Sequence, residues 1–428
     1  MLVGFTFENF ASFYNNTEFA MTVSKSDNRY KELNTFNTPH GELLKSCLMY
    51  GANGSGKTNF INALSFMKSV VTSELDVQTK IISSINYFLF NKSSKEKPIK
   101  FSISFIVDDV LYDYGFSILD NKITSEYLDK KVQRTTNVFT RSGSGFETIK
   151  LNTKDFKNVE HVIKNTREDV LFLSWANFCN NEMAMKIYKW FDDIQIFDAD
   201  DTSQLLSVTV DYMEQNDNGK EEIINLMHNV GISIEDMELE IKDLEITEFL
   251  MSALKKSYKE KFKSMKPRGV DLKVKQKVYD ENWENFEMAD FGFELESAGT
   301  RKLFEIAGPI ISAINNGSVV LIDEIDARLH PALVRHLVMM FNSISQNPKN
   351  AQLICNTHDV TLLDEDIRRD QICFLEKNEY GVSDLYCLCD FTGVRKDSKI
   401  LKQYLLGAYG ALPNIKGSKM DVYEGAAE

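Results

Sequence analysis

The stretch "LMYGANGSGKTNFINAL", Leu48 to Leu64, constrains this chain more than any other. An apolar run ends in a glycine-rich turn. A helical pattern follows, with Phe60, Ile61, Leu64, Met67, Val70 and Val71 at helical spacing. The turn Gly51-Ala52-Asn53-Gly54-Ser55-Gly56-Lys57-Thr58 matches the phosphate-binding pattern G-x-x-x-x-G-K-[ST] in full. Glycines let consecutive amide N–H groups face one centre. The helix that follows adds the positive end of its dipole. Lys57 can reach β- and γ-phosphates, the Thr58 hydroxyl can ligate Mg²⁺, and Asn59 stands beside them at the helix start.

Three later segments extend this reading. In "SVVLIDEIDARLHP", Ser318 to Pro331, a run of β-formers ends in two adjacent acids. A buried parallel strand has this pattern and delivers its carboxylates where open α/β sheets bind ligands. Asp323 would hold the magnesium shell and Glu324 would polarise an attacking water. "LESAGTRKLF", Leu295 to Phe304, opens a helix. Ser297 is an N-cap type residue, and Gly299 allows close backbone approach. In "AQLICNTHDV" a strand leads to His358, which fits a γ-phosphate sensor.

The rest of the chain gives an outline. "IKFSISFIVDDVLYDYGFSIL" alternates with period two, and Asp108-Asp109 marks a hairpin turn. Residues 155–230 read as mostly helical. "ISIEDMELEIKDLEI" and "VDLKVKQKV" read as strands around a lysine-rich helix, and from Phe291 the pattern is α/β. The expected organisation is an N-terminal lobe over 1–150, a helical insertion over 151–230 and a C-terminal lobe over 231–428. The expected fold class is an α/β P-loop NTPase with a mixed sheet, an antiparallel β subdomain and a helical insertion.

Bulk properties set limits. The formal net charge of −14 argues against wrapping nucleic acid by bulk charge alone. The lysine-rich stretch Ser252 to Gly269 reads as a solvated helix face. No apolar run reaches roughly 18 residues, so no transmembrane helix is expected. The start "MLVGFTFENFASF" alternates like a strand and does not read as a signal peptide. The six cysteines are scattered along the chain and read as reduced thiols of a cytoplasmic protein. Strand alternation would put Cys387 and Cys389 on opposite faces.

The order of glycine loop, "ESAGTRKL", acidic strand and histidine strand resembles the ABC-type ATPase heads of the SMC and recombination-repair class. The large separation of Lys57 from Ser297 favours that class over transporter ATPases. With "DEIDARLHP" and "QYLLGAYGALPNI" the chain resembles the bacterial AAA-type ATPases known as RloA-like or abortive-infection ATP-binding proteins, whose heads are similar to those of the OLD family. The resemblance covers about residues 1–130 and 230–428. It implies an ATP- and Mg²⁺-dependent sensor or switch in defence against phage. It also implies a homodimer or higher homo-oligomer, in which Ser297 and Gly299 of one subunit meet the nucleotide on the other. The effector would be a separate protein, a nuclease of the TOPRIM or RloB-like kind, and the trigger a nucleic acid or a phage protein. The residues after His358 are too few for a TOPRIM domain of the chain's own.

This sequence departs from the family pattern at two points. His330 stands where the D-loop usually carries aspartate. The Q-loop glutamine has no clear counterpart, with Gln78 and the segment Phe88 to Lys92 as candidates. The competing readings are an SMC-like DNA-repair or DNA-tethering ATPase and a scaffold that holds ATP without turnover. The first needs a long heptad coiled coil, which residues 155–230 do not supply. The second conflicts with the presence of Glu324.

Overall fold

The computed structural model describes residues 1–152, 156, 159–243, 268–394 and 399–413. The chain forms two compact units. One comprises Met1–Ala199, Ala313–Asp326 and Val334–Glu428, the other Asp200–Ser312 and Ala327–Leu333. The lysine-rich stretch expected as a helix lies almost wholly outside the described residues.

Among the described residues the first unit contains two large sheets and a small two-stranded one, Thr35–Thr38 with Gly41–Leu44. A six-stranded sheet runs in the order Gln195–Asp198, Val319–Asp323, Gln352–Asn356, Ser46–Gly51, Ile372–Lys377, Ser383–Cys387. Its first five strands are parallel and the last is antiparallel, so the sheet is mixed. The strands Ser46–Gly51, Val319–Asp323 and Gln352–Asn356 are buried at every position, as a sheet covered on both faces requires. A seven-stranded sheet is antiparallel throughout. The expected turn at Asp108-Asp109 is present between Ile99–Val107 and Val110–Leu119. Both aspartates have positive φ, 48° and 61°, the backbone of a type I′ hairpin.

The helix Lys57–Thr72 joins the two sheets into one core. Phe60 packs its ring on Phe5, Phe7 and Phe19 of the antiparallel sheet. Phe66 stacks on Phe101 at 5.4 Å between centroids. The antiparallel sheet therefore braces the helix that starts at the glycine turn.

Residues 151–230 differ from a single helical insertion. Helices are present, but Gln195–Asp198 is a strand that pairs in parallel with the acidic strand, Asp198 opposite Asp323. The part before Ala199 belongs to the first unit's core. A buried pair explains why. The Glu126 carboxylate accepts the N–H groups of Phe172 (2.7 Å) and Leu173 (3.0 Å) and the Tyr114 hydroxyl (3.0 Å). Arg141, also fully buried, donates to the carbonyls of Val170, Gly143 and Arg167. These bonds pin the helix Phe172–Phe178 to the antiparallel sheet. Burial raises the Glu126 carboxyl, against the opposing pull of Arg141.

Gln78 is likewise a core residue. It is fully buried, its amide bridges Val70 O and Ser174 Oγ, and its carbonyl accepts the Leu171 N–H. All its polar groups are engaged there, so it does not serve as the Q-loop glutamine. The six cysteines are free thiols, as expected, but the fold brings three of them together. Cys47 and Cys373 lie 3.5 Å apart at sulfur, and Cys373 and Cys387 3.7 Å apart. Cys389 falls in the 3₁₀ turn Leu388–Asp390 beyond the strand, so alternation does not apply to it.

In the second unit, the expected strands form Asp236–Asp243 and Arg268–Tyr279, with Phe286–Gly292 as the third of an antiparallel sheet. The helix Ala298–Asn316 contains Pro309. A proline cannot donate to the carbonyl four residues before it. That carbonyl, Glu305 O, accepts the Thr209 hydroxyl instead, at 2.7 Å. Gly308 permits the approach, because a Cβ there would lie 2.4 Å from Thr209 Cα.

Candidate functional site

The strand Ser46–Gly51 ends at the glycine turn, and the helix begins at Lys57. Gly56 precedes it at φ +117°, a conformation that favours glycine. A Cβ on Gly51 would lie 2.5 Å from Leu375 O, so the neighbouring strand also requires glycine there. Two segments clamp the turn. Ser383 Oγ donates to Ser55 O (2.6 Å) and is hydrogen-bonded to Ser12 Oγ (2.8 Å), whose hydroxyl can supply the proton. Asn59 donates its side-chain amide to the same Ser12 Oγ at 2.9 Å, which engages it within this clamp. Ser12 and Ser383 carry no motif, and sequence reading missed both.

Lys57 is nearly buried. Its ammonium donates to Gly51 O (2.7 Å) and Ala52 O (3.3 Å). Burial lowers its pKa from the usual lysine value, while the charges of Glu324, Asp323 and Asp326 pull it back up. The acidic strand and the strand that ends in the glycine turn both pair in parallel with Gln352–Asn356, so the two motifs lie at the same edge of the sheet. Thr58, Asn53 and Gly54 are exposed at its surface.

Asp323 is the last residue of its strand and nearly buried. Glu324 follows with φ +54°, a left-handed conformation uncommon for a side-chain-bearing residue. Asn356, at the end of the adjacent strand and fully buried, bonds to both acids. Its Nδ2 donates to Asp323 Oδ1, and its Oδ1 accepts the Glu324 N–H. Two residues later His358 is exposed, and its backbone N–H donates to both carboxylate oxygens of Asp326 at 3.1 Å. Asn356 and Asp326 were not singled out from the sequence. Each sits beside a recognised motif residue, and that adjacency was the signal available.

Ser297 and Gly299 lie in the second unit. Ser297 is exposed and caps the helix start, its Oγ accepting the Thr300 N–H at 3.1 Å. Gly299 is half-buried, with Arg328 O 3.6 Å from where a Cβ would stand.

The residues of the glycine turn fit a phosphate group. Ser55 Oγ is buried without a hydrogen-bond partner. Gly54, at φ +76°, has open space where a Cβ would be. Among the described residues no group of three or more His, Cys, Asp or Glu is placed to hold a metal ion. Mg²⁺ at nucleotide sites is commonly held by one or two protein oxygens together with the phosphates, which Thr58 and Asp323 suffice to provide.

Comparison with known proteins decides the family. The family model described as "AAA domain, putative AbiEii toxin, Type IV TA system" matches residues 48–156 and 218–364, more than half of the chain. The chain belongs to this family. It is therefore an AAA-type ATP-binding protein of the ATPase class. No curated protein matches it. Among solved structures, an SMC head bound to the C-terminal winged-helix domain of ScpA is similar at 14% identity and a TM-score of 0.45, over 90% of this chain and 97% of that one. The SMC head domain from Thermotoga maritima is similar at 14% identity and a TM-score of 0.39, over 90% and 98%. Among the described residues no helix of this ATPase-family chain is long and apolar enough to cross a membrane.

Proposed function

We propose that this protein binds and hydrolyses ATP with Mg²⁺, and that its nucleotide state switches a partner effector in an abortive-infection type of defence against phage. The observation that carries the enzymatic part is that the strand ending in the acids and the strand ending in the glycine turn both pair in parallel with Gln352–Asn356, which brings Asp323, Glu324 and Lys57 to one edge of the sheet. In this reading Lys57 and the amides of residues 51–58 hold the phosphates. Thr58 and Asp323 hold Mg²⁺, which supplies charge neutralisation at the phosphates. Glu324 orients and deprotonates the attacking water, and His358 monitors the γ-phosphate. The defence role rests on the family's AbiEii description and on the resemblance of the motifs. The DNA-tethering alternative is less supported: the longest helix described between 151 and 230 is Thr202–Gln215, too short for a coiled-coil arm.

The deciding experiment is ATP titration and hydrolysis, with and without DNA. Lys57→Ala is expected to weaken ATP binding by about 10–100-fold, the loss of one charge-assisted hydrogen-bonding cation. Unchanged binding would remove the glycine turn from the site.

The assembly reading is that each active site combines the glycine turn of one subunit with Ser297 and Gly299 of another. Ser297→Arg and Lys57→Ala should each block hydrolysis. Mixed dimers of the two carry one intact composite site and should regain part of it. If mixed dimers form and regain nothing while the wild type is active, the shared site is refuted, or its two halves fire only together. The effector reading predicts that the purified chain cleaves neither DNA nor RNA. Metal-dependent cleavage lost on mutation of this chain's own acids would overturn it.

A further inference from the structure

The strand ends around Asn356 form an arrangement that the two-acid motif alone does not describe. In the proposed reaction Asp323 and Glu324 act as a pair, so their relative orientation matters. Glu324 has φ +54°, a strained conformation for a residue with a side chain that persists only where the surroundings hold it. The turn that follows is bonded to the neighbouring strand by Ile325 N–H to Asn356 O at 3.2 Å. The Asn356 side chain completes the link, donating to the Asp323 carboxylate and accepting from the Glu324 amide. Its burial excludes water as a competing partner.

We infer that Asn356 is the positioning residue of the catalytic pair, a single side-chain amide that sets the Asp323 carboxylate and the Glu324 backbone in one frame. An amide suits the place because it offers a donor and an acceptor in one plane. A carboxylate could serve the Glu324 N–H but not the Asp323 oxygen. An alanine could serve neither. Because Asn356 lies two residues before His358, the frame also connects the strand carrying the exposed histidine to the acids. Groups that orient a ligand of this kind typically carry about 10–100-fold in activity or metal affinity. The inference rests on the assignment of Asp323 and Glu324 as the working carboxylates.

The test uses Asn356→Ala and Asn356→Asp in the full chain, with three readings: steady-state ATP hydrolysis, the Mg²⁺ concentration for half-maximal activity, and amide hydrogen exchange in peptides spanning Glu324. Both variants should lower kcat by about 10–100-fold with KM close to the wild-type value. The alanine variant should need more Mg²⁺ and exchange the Glu324 amide faster. The aspartate variant should keep that amide protected, because its acceptor remains. Wild-type kcat in either variant overturns the inference. So does a kcat loss accompanied by an equal loss of ATP binding and melting temperature, which would mark a merely structural residue. If the alanine variant fails to fold, the near-isosteric aspartate variant decides on kcat and protection alone. A wild-type protein that binds ATP but never hydrolyses it would refute the proposed hydrolysis. Hydrogen exchange at Glu324 would then still judge Asn356.

Discussion

Glu324→Gln is expected to leave the protein folded and able to take up ATP with Mg²⁺, while turnover falls by about 10²–10⁴-fold, the usual contribution of a positioned general base. The glutamine keeps the size of the side chain and cannot take the proton of the attacking water. The backbone N–H of residue 324 would still donate to Asn356, so the left-handed turn is undisturbed. Lys57 would lose one of the three carboxylate charges that draw on it and keep those of Asp323 and Asp326. Binding should therefore change far less than turnover. ATP titration alongside steady-state phosphate release checks both halves. Turnover at the wild-type rate would move water activation to another residue, with the exposed His358 next to be tested.

The largest effect on stability is expected from Asp370→Ala. Arg368 and Asp370 form a buried ion pair, with side-chain exposures of 0% and 3%. Arg368 also donates to Arg29 O (2.8 Å), and Asp370 accepts the Ser24 N–H (2.7 Å). Next to them Asp27, with a fully buried side chain, bonds to Arg29 and Arg369. This network ties the segment Ser24–Arg29 to residues 368–370, more than three hundred positions later. Removing Asp370 leaves the Arg368 guanidinium buried without its counter-charge, which costs about 3–5 kcal/mol in comparable pairs. The urea midpoint of unfolding should drop accordingly, and an unchanged midpoint would show that the network carries no net stability.

The same network predicts a pH dependence. Burial pushes the Asp27 carboxyl up, but the Arg29 side chain and the Arg369 and Arg29 backbone N–H groups outweigh it and hold it well below the usual carboxylate range. A carboxyl depressed in the folded state stabilises the fold fully above its unfolded pKa, and that stability is lost as pH falls toward the folded value. Unfolding at successively lower pH should therefore show a decline below the ordinary carboxylate range that Asp27→Asn flattens.

Much of the site was legible because its chemistry is local. The glycine turn needs only consecutive residues: glycines for the bend, amides for the phosphate, a lysine and a threonine at the helix start. The acidic strand is equally self-contained, since an apolar run ending in two acids reports both its burial and its direction. The Asp108-Asp109 hairpin was readable for the same reason. The alternating segments near 236 and 270 were recognised as strands, although their third partner, Phe286–Gly292, was not.

What failed to read correctly depended on partners distant in sequence. Gln78 was a candidate at the nucleotide until Val70, Ser174 and Leu171 were seen to surround it. Residues 160–192 carry helical periodicity wherever they pack, and long-range contacts, among them those of Glu126 and Arg141 and the stacking of Trp190 on Phe105, assign them to the first unit's core. Cysteines far apart along the chain became neighbours through strand pairing. Asn356 looks like any polar residue at a strand end, and its place between Asp323 and Glu324 comes from a parallel register. Local periodicity and loop chemistry are properties of the chain by itself. Which strand lies beside which, and so which side chain fills the gap between two acids, is determined only when burial and backbone pairing select one packing.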